Sequence, residues 1–101
     1  QKIEEKKYTK WFDYDKIKNS PCVRTRRQGD YLTVNSEGSR KKLNRIFIDE
    51  KIPAEMRDRL PVVAAGSEIL WIPGGRMNEK YKITSTTGRV LELHYQGGAL
   101  A

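Results

Sequence analysis

The spacing of apolar positions changes several times along the chain, and each change marks an element. From Phe12 to Asp15 apolar and acidic side chains alternate, which predicts a short half-buried strand. A turn at Asn19-Ser20-Pro21 leads to a second alternating run over residues 22–26. That run puts Val23 and Thr25 on one face and Arg24 and Arg26 on the other. Arg27-Gln28-Gly29-Asp30 has turn chemistry, and residues 31–34 read as another strand. Ser39 can cap a helix over residues 40–48, in which Leu43, Ile46 and Phe47 share one face and Lys41, Lys42 and Arg45 the other. Pro53 ends that unit and can open a short helical turn through Arg57.

Beyond Leu60 the pattern is that of strands. Residues 62–65 and 68–72 flank Gly66-Ser67, a hairpin signature, and Pro73-Gly74-Gly75 forms a loop with Arg76 at its tip. Residues 81–84 and 90–95 flank a turn at Ser85-Thr86-Thr87-Gly88, which predicts a second hairpin. Strands first, one main helix and then hairpins predict an α+β domain, small and rich in β-structure, and argue against a parallel doubly wound sheet. Residues 1–10 read as a linker or frayed end, 11–95 as one domain and 96–101 as a disordered tail.

Charge changes the picture more than composition does. The chain has 101 residues, few enough for one domain, and a formal net charge of +7. Between Arg24 and Arg45 seven basic residues face two acids, Asp30 and Glu37, so much of the excess is concentrated there. A basic stripe of this kind suits a polyanion, with nucleic acid ahead of an anionic membrane, although a solvated helix face is the commoner fate of such a run. Phe12, Tyr31, Phe47, Trp71 and Tyr81 fall at apolar-patterned positions, where core packing accounts for them better than base stacking. This favours helical RNA held through its backbone and shape.

Catalytic motifs are missing. The sequence contains neither Gly-x-x-x-x-Gly-Lys-Ser/Thr nor Gly-x-Gly-x-x-Gly, and Gly74-Gly75 is too short to cradle a nucleotide. One cysteine, Cys22, and one histidine, His94, make no zinc ligand set and only a weak nucleophile pair. Asp13 and Asp15 are best read as an exposed acidic pair. No apolar run approaches the roughly 20 residues that cross a bilayer.

A more specific pattern runs from Arg24 to Leu93. Its pieces are Arg24-Thr25-Arg26-Arg27-Gln28-Gly29-Asp30, Lys41-Lys42-Leu43 leading into Phe47-Ile48-Asp49-Glu50-Lys51-Ile52-Pro53, and Arg57-Asp58-Arg59-Leu60-Pro61. Glu68-Ile69-Leu70-Trp71-Ile72-Pro73-Gly74-Gly75-Arg76 and Tyr81-Lys82-Ile83-Thr84 complete it. This stretch resembles the carboxy-terminal domain of bacterial tRNA(Ile)-lysidine synthetase. It departs from the family pattern at Tyr31, where a basic residue is often found.

The resemblance implies a β-rich, sandwich-like fold with a helix inserted between strands, similar to a domain of the phenylalanyl-tRNA synthetase β chain. It implies a cytoplasmic parent enzyme that uses ATP and Mg to join lysine to the wobble cytidine of an isoleucine tRNA with a CAU anticodon. The loop for that chemistry, Ser-Gly-Gly-x-Asp-Ser, does not occur here, so this fragment is expected to be inactive alone and to carry no cofactor. The implied partners are the tRNA acceptor stem, the amino-terminal catalytic domain of the same chain and, in a homodimer, a second copy. Residues expected to meet tRNA are Arg24, Arg26, Arg27, Lys41, Lys42 and Arg45 through phosphates, with Arg76 as a groove reader. The alternative role for the same basic face is a protein–protein or dimerisation surface.

Overall fold

A computed structural model of the chain describes residues 8–96. Among these residues seven strands form two sheets. β1 (Thr9–Asp13) pairs antiparallel with β7 (Val90–His94). The other five are β2 (Cys22–Arg24), β3 (Tyr31–Thr33), β4 (Arg40–Lys42), β5 (Val62–Ala65) and β6 (Glu68–Trp71), in the spatial order β2-β5-β6-β3-β4. All neighbours in this sheet are antiparallel except β3 and β6. Helix α1 (Leu43–Asp49) and the single turn α2 (Ala54–Arg57) lie between β4 and β5 in the chain.

Each face of the larger sheet carries its own apolar cluster. One combines Leu32, Val62, Ala64 and Ile69 with Leu43, Ile46 and Phe47 of α1. The other joins Val63, Ala65, Leu70 and Trp71 to Phe12 of β1 and to Tyr81. Strict alternation would send Leu70 and Trp71 to opposite faces. Here Val63 pairs with Trp71 and Ala64 with Ile69, so Leu70 is an extra residue in β6. This bulge turns both large side chains into the layer between the sheets.

The sheet and helix contents agree with the sequence reading at the Gly66-Ser67 hairpin and at the Leu43, Ile46, Phe47 face. Gly66 has φ +66, as a two-residue hairpin turn requires, and an added Cβ would stand 3.1 Å from Asn19 Nδ2. Three elements differ. Arg40–Lys42 is a strand, because Asn35 Oδ1 accepts from the amides of Glu37 and Ser39 and folds the chain back on β3. Ser39 therefore caps nothing. The helix begins at Leu43, whose amide donates to Asp30 O at 2.9 Å. It ends in a Schellman motif, with Lys51 at φ 61, Ile52 N bonded to Phe47 O and Lys51 N to Ile48 O.

The predicted second hairpin is the second difference. Residues 79–81 form a 3-10 turn, Lys82 bridges to Phe12, and β7 pairs with β1 from the other end of the chain. The 84–87 turn exists, closed by Thr87 N to Thr84 O and anchored by Thr87 Oγ1 donating to Asp13. The third difference is at the amino-terminal end. Of the alternation expected over residues 12–15, only Phe12 and Asp13 lie in β1, which starts two residues inside the segment read as a linker, and Tyr14–Lys16 is a 3-10 turn. The rest of that linker (residues 1–7) and the tail from residue 97 lie outside the described residues.

Tyr81 is buried, and its hydroxyl donates to Glu68 Oε1 at 2.5 Å. Burial, then the Glu68 carboxylate, pushes its phenol well above the ordinary value near 10. The folded state thus keeps a proton that the unfolded chain releases, so this contribution is complete below pH 10 and declines above it. Denaturant melts at rising pH should show stability falling from about pH 10 in the parent. Tyr81→Phe should remove that fall.

Candidate nucleic-acid interface

The local geometry begins at Gly29, whose φ of +90 tightens the turn from Arg27 to Asp30. Asp30 is the hub of that turn. Its carboxylate accepts both terminal nitrogens of Arg24 at 2.9 Å and the amide of Arg27 at 2.7 Å. Arg24 also donates to Thr25 O and Gly66 O, which ties the turn to the β5–β6 hairpin. Its side chain is 10% exposed and that of Asp30 is 2% exposed, so this is a buried, fully bonded pair. The Asp30 hydrogen bond raises the Arg24 guanidinium above its already high value and keeps it charged.

The strand alternation is thereby opposite to expectation. Val23 is exposed on the edge strand β2, and Arg24 turns inward to its carboxylate. Arg26 crosses to the helical segment instead, with Nε 2.8 Å from Asp58 and Nη1 2.8 Å from Asn44 Oδ1. Together with the Leu43–Asp30 bond, this fastens the Arg27 turn against the first turn of α1. Residues 15 apart in sequence, Arg27 and Lys42, are brought to the same corner.

Lys41 and Lys42 point to opposite faces of β4. Lys41, paired in register with Leu32, reaches over α1 to Asp49 at 3.0 Å. Arg45 meets the same carboxylate at 3.2 Å from one helical turn away. The Lys41 hydrogen bond is the main cause that holds Asp49 below the usual carboxylate range. Arg27 and Lys42 are exposed and make no ion pair or side-chain hydrogen bond with any described residue. The corner therefore gathers five cations, Arg26, Arg27, Lys41, Lys42 and Arg45, against two carboxylates, Asp49 and Asp58.

Arg76 stands apart. Its guanidinium donates to Val34 O at 3.3 Å, at the far end of β3 from Tyr31, roughly 10 Å along the strand. The aromatic residues follow the core reading with one exception. Phe12, Phe47, Trp71 and Tyr81 are buried, whereas Tyr31 is half-buried beneath the Arg40 guanidinium, 4.8 Å from the ring centre. Arg40 was not among the residues singled out by the sequence pattern.

Among the described residues the candidate pairs Cys22–His94 and Asp13–Asp15 do not come together. His94 bonds to Thr9 through Nδ1 and to Glu92 through Nε2, and neither nitrogen meets Cys22. Asp13 is buried and Asp15 pairs with Arg89, so the two do not form a joint site. Among the described residues no group of three or more histidine, cysteine or acidic side chains could hold a metal ion. None of the described helices is long and apolar enough to cross a membrane.

Known proteins match this arrangement in sequence and in shape. The family model described as the TilS substrate C-terminal domain matches residues 22–93. A tRNA(Ile)-lysidine synthase of Caldanaerobacter subterraneus subsp. tengcongensis is 49% identical over 88 residues, covering 87% of this chain and 19% of the relative. That of Clostridium tetani is 40% identical over 90 residues, covering 89% and 19%. The chain thus spans about a fifth of the length of the curated relatives it matches. A solved structure, titled as the crystal structure of the TILS C-terminal domain, superposes with a TM-score of 0.68 at 27% identity, covering 96% of this chain and 78% of that one. The chain belongs to the family of TilS substrate C-terminal domains.

Proposed function

We propose that this chain is the RNA-gripping carboxy-terminal domain of a tRNA(Ile)-lysidine synthase and holds the acceptor stem of an isoleucine tRNA with a CAU anticodon. The observation that carries the reading is the corner where Arg27 and Lys42, whose side chains make no ion pair or hydrogen bond with a described residue, stand beside Lys41 and Arg45, which share one carboxylate. Stem RNA hides its major groove, so it is held through phosphates, 2′-hydroxyls and shape, and unpaired cations on a rigid corner are suited to that. Arg27, Lys42 and Arg45 are the direct phosphate ligands in this reading. Lys41 and Arg26 can exchange their carboxylates for phosphate at some cost, Arg24 acts as a brace, and Arg76 meets a groove at the other end of β3.

The remainder of the cytoplasmic enzyme would bind ATP and Mg and carry out lysine transfer to the wobble cytidine. A grip on the stem raises the effective concentration of the anticodon at that distant centre. It also allows rejection of tRNAs with the wrong stem. The test is competition binding. The isoleucine tRNA and its isolated acceptor stem should displace each other, and elongator methionine tRNA should compete more weakly. Equal displacement by an unstructured polyanion would replace this reading with that of a generic anionic or acidic-protein surface.

A further inference from the structure

A second basic feature lies on the Lys42 face of β4, at the other end of the strand. Arg40 and Lys42 alternate with Lys41, so Arg40 points away from α1. It opens onto a cleft of about 490 Å³ lined by Lys16, Thr33, Asn35, Ser36, Gly38, Arg40, Glu79, Lys80 and Thr84. Four separate segments build these walls: the 3-10 turn after β1, the β3–β4 hairpin, the 79–81 turn and the 84–87 turn.

The charges in this cleft do not balance. Lys16, Arg40 and Lys80 face it with one acid, Glu79, and Glu79 is already held by Lys82 at 2.8 Å. Lys16 reaches Asp13 only at 4.0 Å and Lys80 reaches Glu68 only at 3.8 Å, while Glu68 is engaged by the Tyr81 hydroxyl. Arg40 makes no ion pair with a described residue. Its guanidinium lies over the Tyr31 ring, 4.8 Å from the centre, and its N–H groups donate to no described residue. Thr33 is buried at this wall, and its hydroxyl makes no hydrogen bond with another described residue.

Three cations from three elements, one of them a guanidinium over an aromatic ring, and an unused hydroxyl around one cleft match a tetrahedral oxyanion. We infer that this cleft is a second anion site that takes a phosphate group of the bound RNA, reached where a strand leaves the Arg27–Lys42 corner and runs along the Arg40–Lys42 face of β4. The inference rests on the stem-binding reading and deepens it. The phosphate is either the 5′-terminal monoester of the strand or a backbone diester, and both present the same oxygens to Arg40 and Lys80.

Two measurements on the 101-residue chain test the site. In amide NMR spectra, inorganic phosphate should shift Thr33, Asn35, Ser36, Gly38, Arg40, Lys80 and Thr84, and Arg40→Gln/Lys80→Gln should abolish those shifts. The same variant should bind the acceptor stem about 10-fold more weakly, with the slope of log affinity against log salt reduced by roughly 1–2. A stem lacking its 5′-phosphate that reproduces this loss identifies the terminal monoester, and one that does not identifies a diester. Absent phosphate shifts, or wild-type affinity and slope in the variant, would overturn the cleft and leave the stem reading intact. Failure of the parent chain to bind any stem would overturn both.

Discussion

Replacing Arg27, Lys42 and Arg45 together with alanine should lower affinity for the acceptor stem by about 10²–10³-fold at low salt while leaving the fold intact. Charge-assisted contacts to phosphate contribute on the order of 1–1.5 kcal/mol each, so three of them give that range. The side chains of Arg27 and Lys42 make no ion pair or hydrogen bond with a described residue, and Asp49 keeps Lys41 when Arg45 is removed. The thermal midpoint should therefore stay within a few degrees of the parent. The affinity would be read by titration against fluorescent stem RNA, and the fold by circular dichroism. An unchanged affinity would remove this corner from the interface. The same truncations at Arg24 and Arg26 carry no such clean meaning, because both side chains hold the turn together.

The largest stability effect is expected at Asp30. Asp30→Ala strips Arg24 of both carboxylate bonds and leaves the Arg27 amide without its acceptor. A guanidinium only 10% exposed is then buried without a counter-charge. Breaking a buried pair from one side costs roughly 3–5 kcal/mol, against a total stability of about 5–15 kcal/mol for a small domain. For a domain of this size the melting temperature should drop by on the order of 15–30 °C. Replacing both partners, as Arg24→Met/Asp30→Leu, should cost less than Asp30→Ala alone, because no uncompensated charge remains. A double variant less stable than Asp30→Ala would show that the pair contributes through packing and not through charge.

Local signals were legible in the sequence. The Gly66-Ser67 hairpin and the Leu43, Ile46, Phe47 face depend on residues close together, and both formed where the pattern put them. The β1–β7 pairing was not legible, because it joins segments about 80 residues apart and each strand alone looks like half of some other hairpin. Arg40-Lys41-Lys42 suits a helix by propensity, yet the Asn35 side chain closes a turn that commits it to β3.

The basic corner was partly legible in the sequence. Period-two alternation placed Arg24 with Arg26 on a solvent face, because it treats arginine as polar and exposed. Asp30, six residues on across a glycine turn, supplies the carboxylate that reverses the assignment. Arg-x-x-x-x-Gly-Asp was the signal for a buried brace. Arg40 was missed because its significance comes from Tyr31 and from a cleft built by remote turns, which no local window contains.

The central claim is that this chain grips stem RNA through phosphates at the Arg27–Lys42 corner, and the salt dependence of binding to an isolated acceptor stem tests it most directly. Each neutralised phosphate should contribute a slope of roughly 0.9 in log affinity against log salt for a duplex. Three direct contacts predict a slope of about 2.7 or steeper, reduced by about 2.7 in the Arg27/Lys42/Arg45→Ala variant. A folded chain whose affinity for the stem is undetectable at low salt, or whose slope does not change in that variant, would contradict the account.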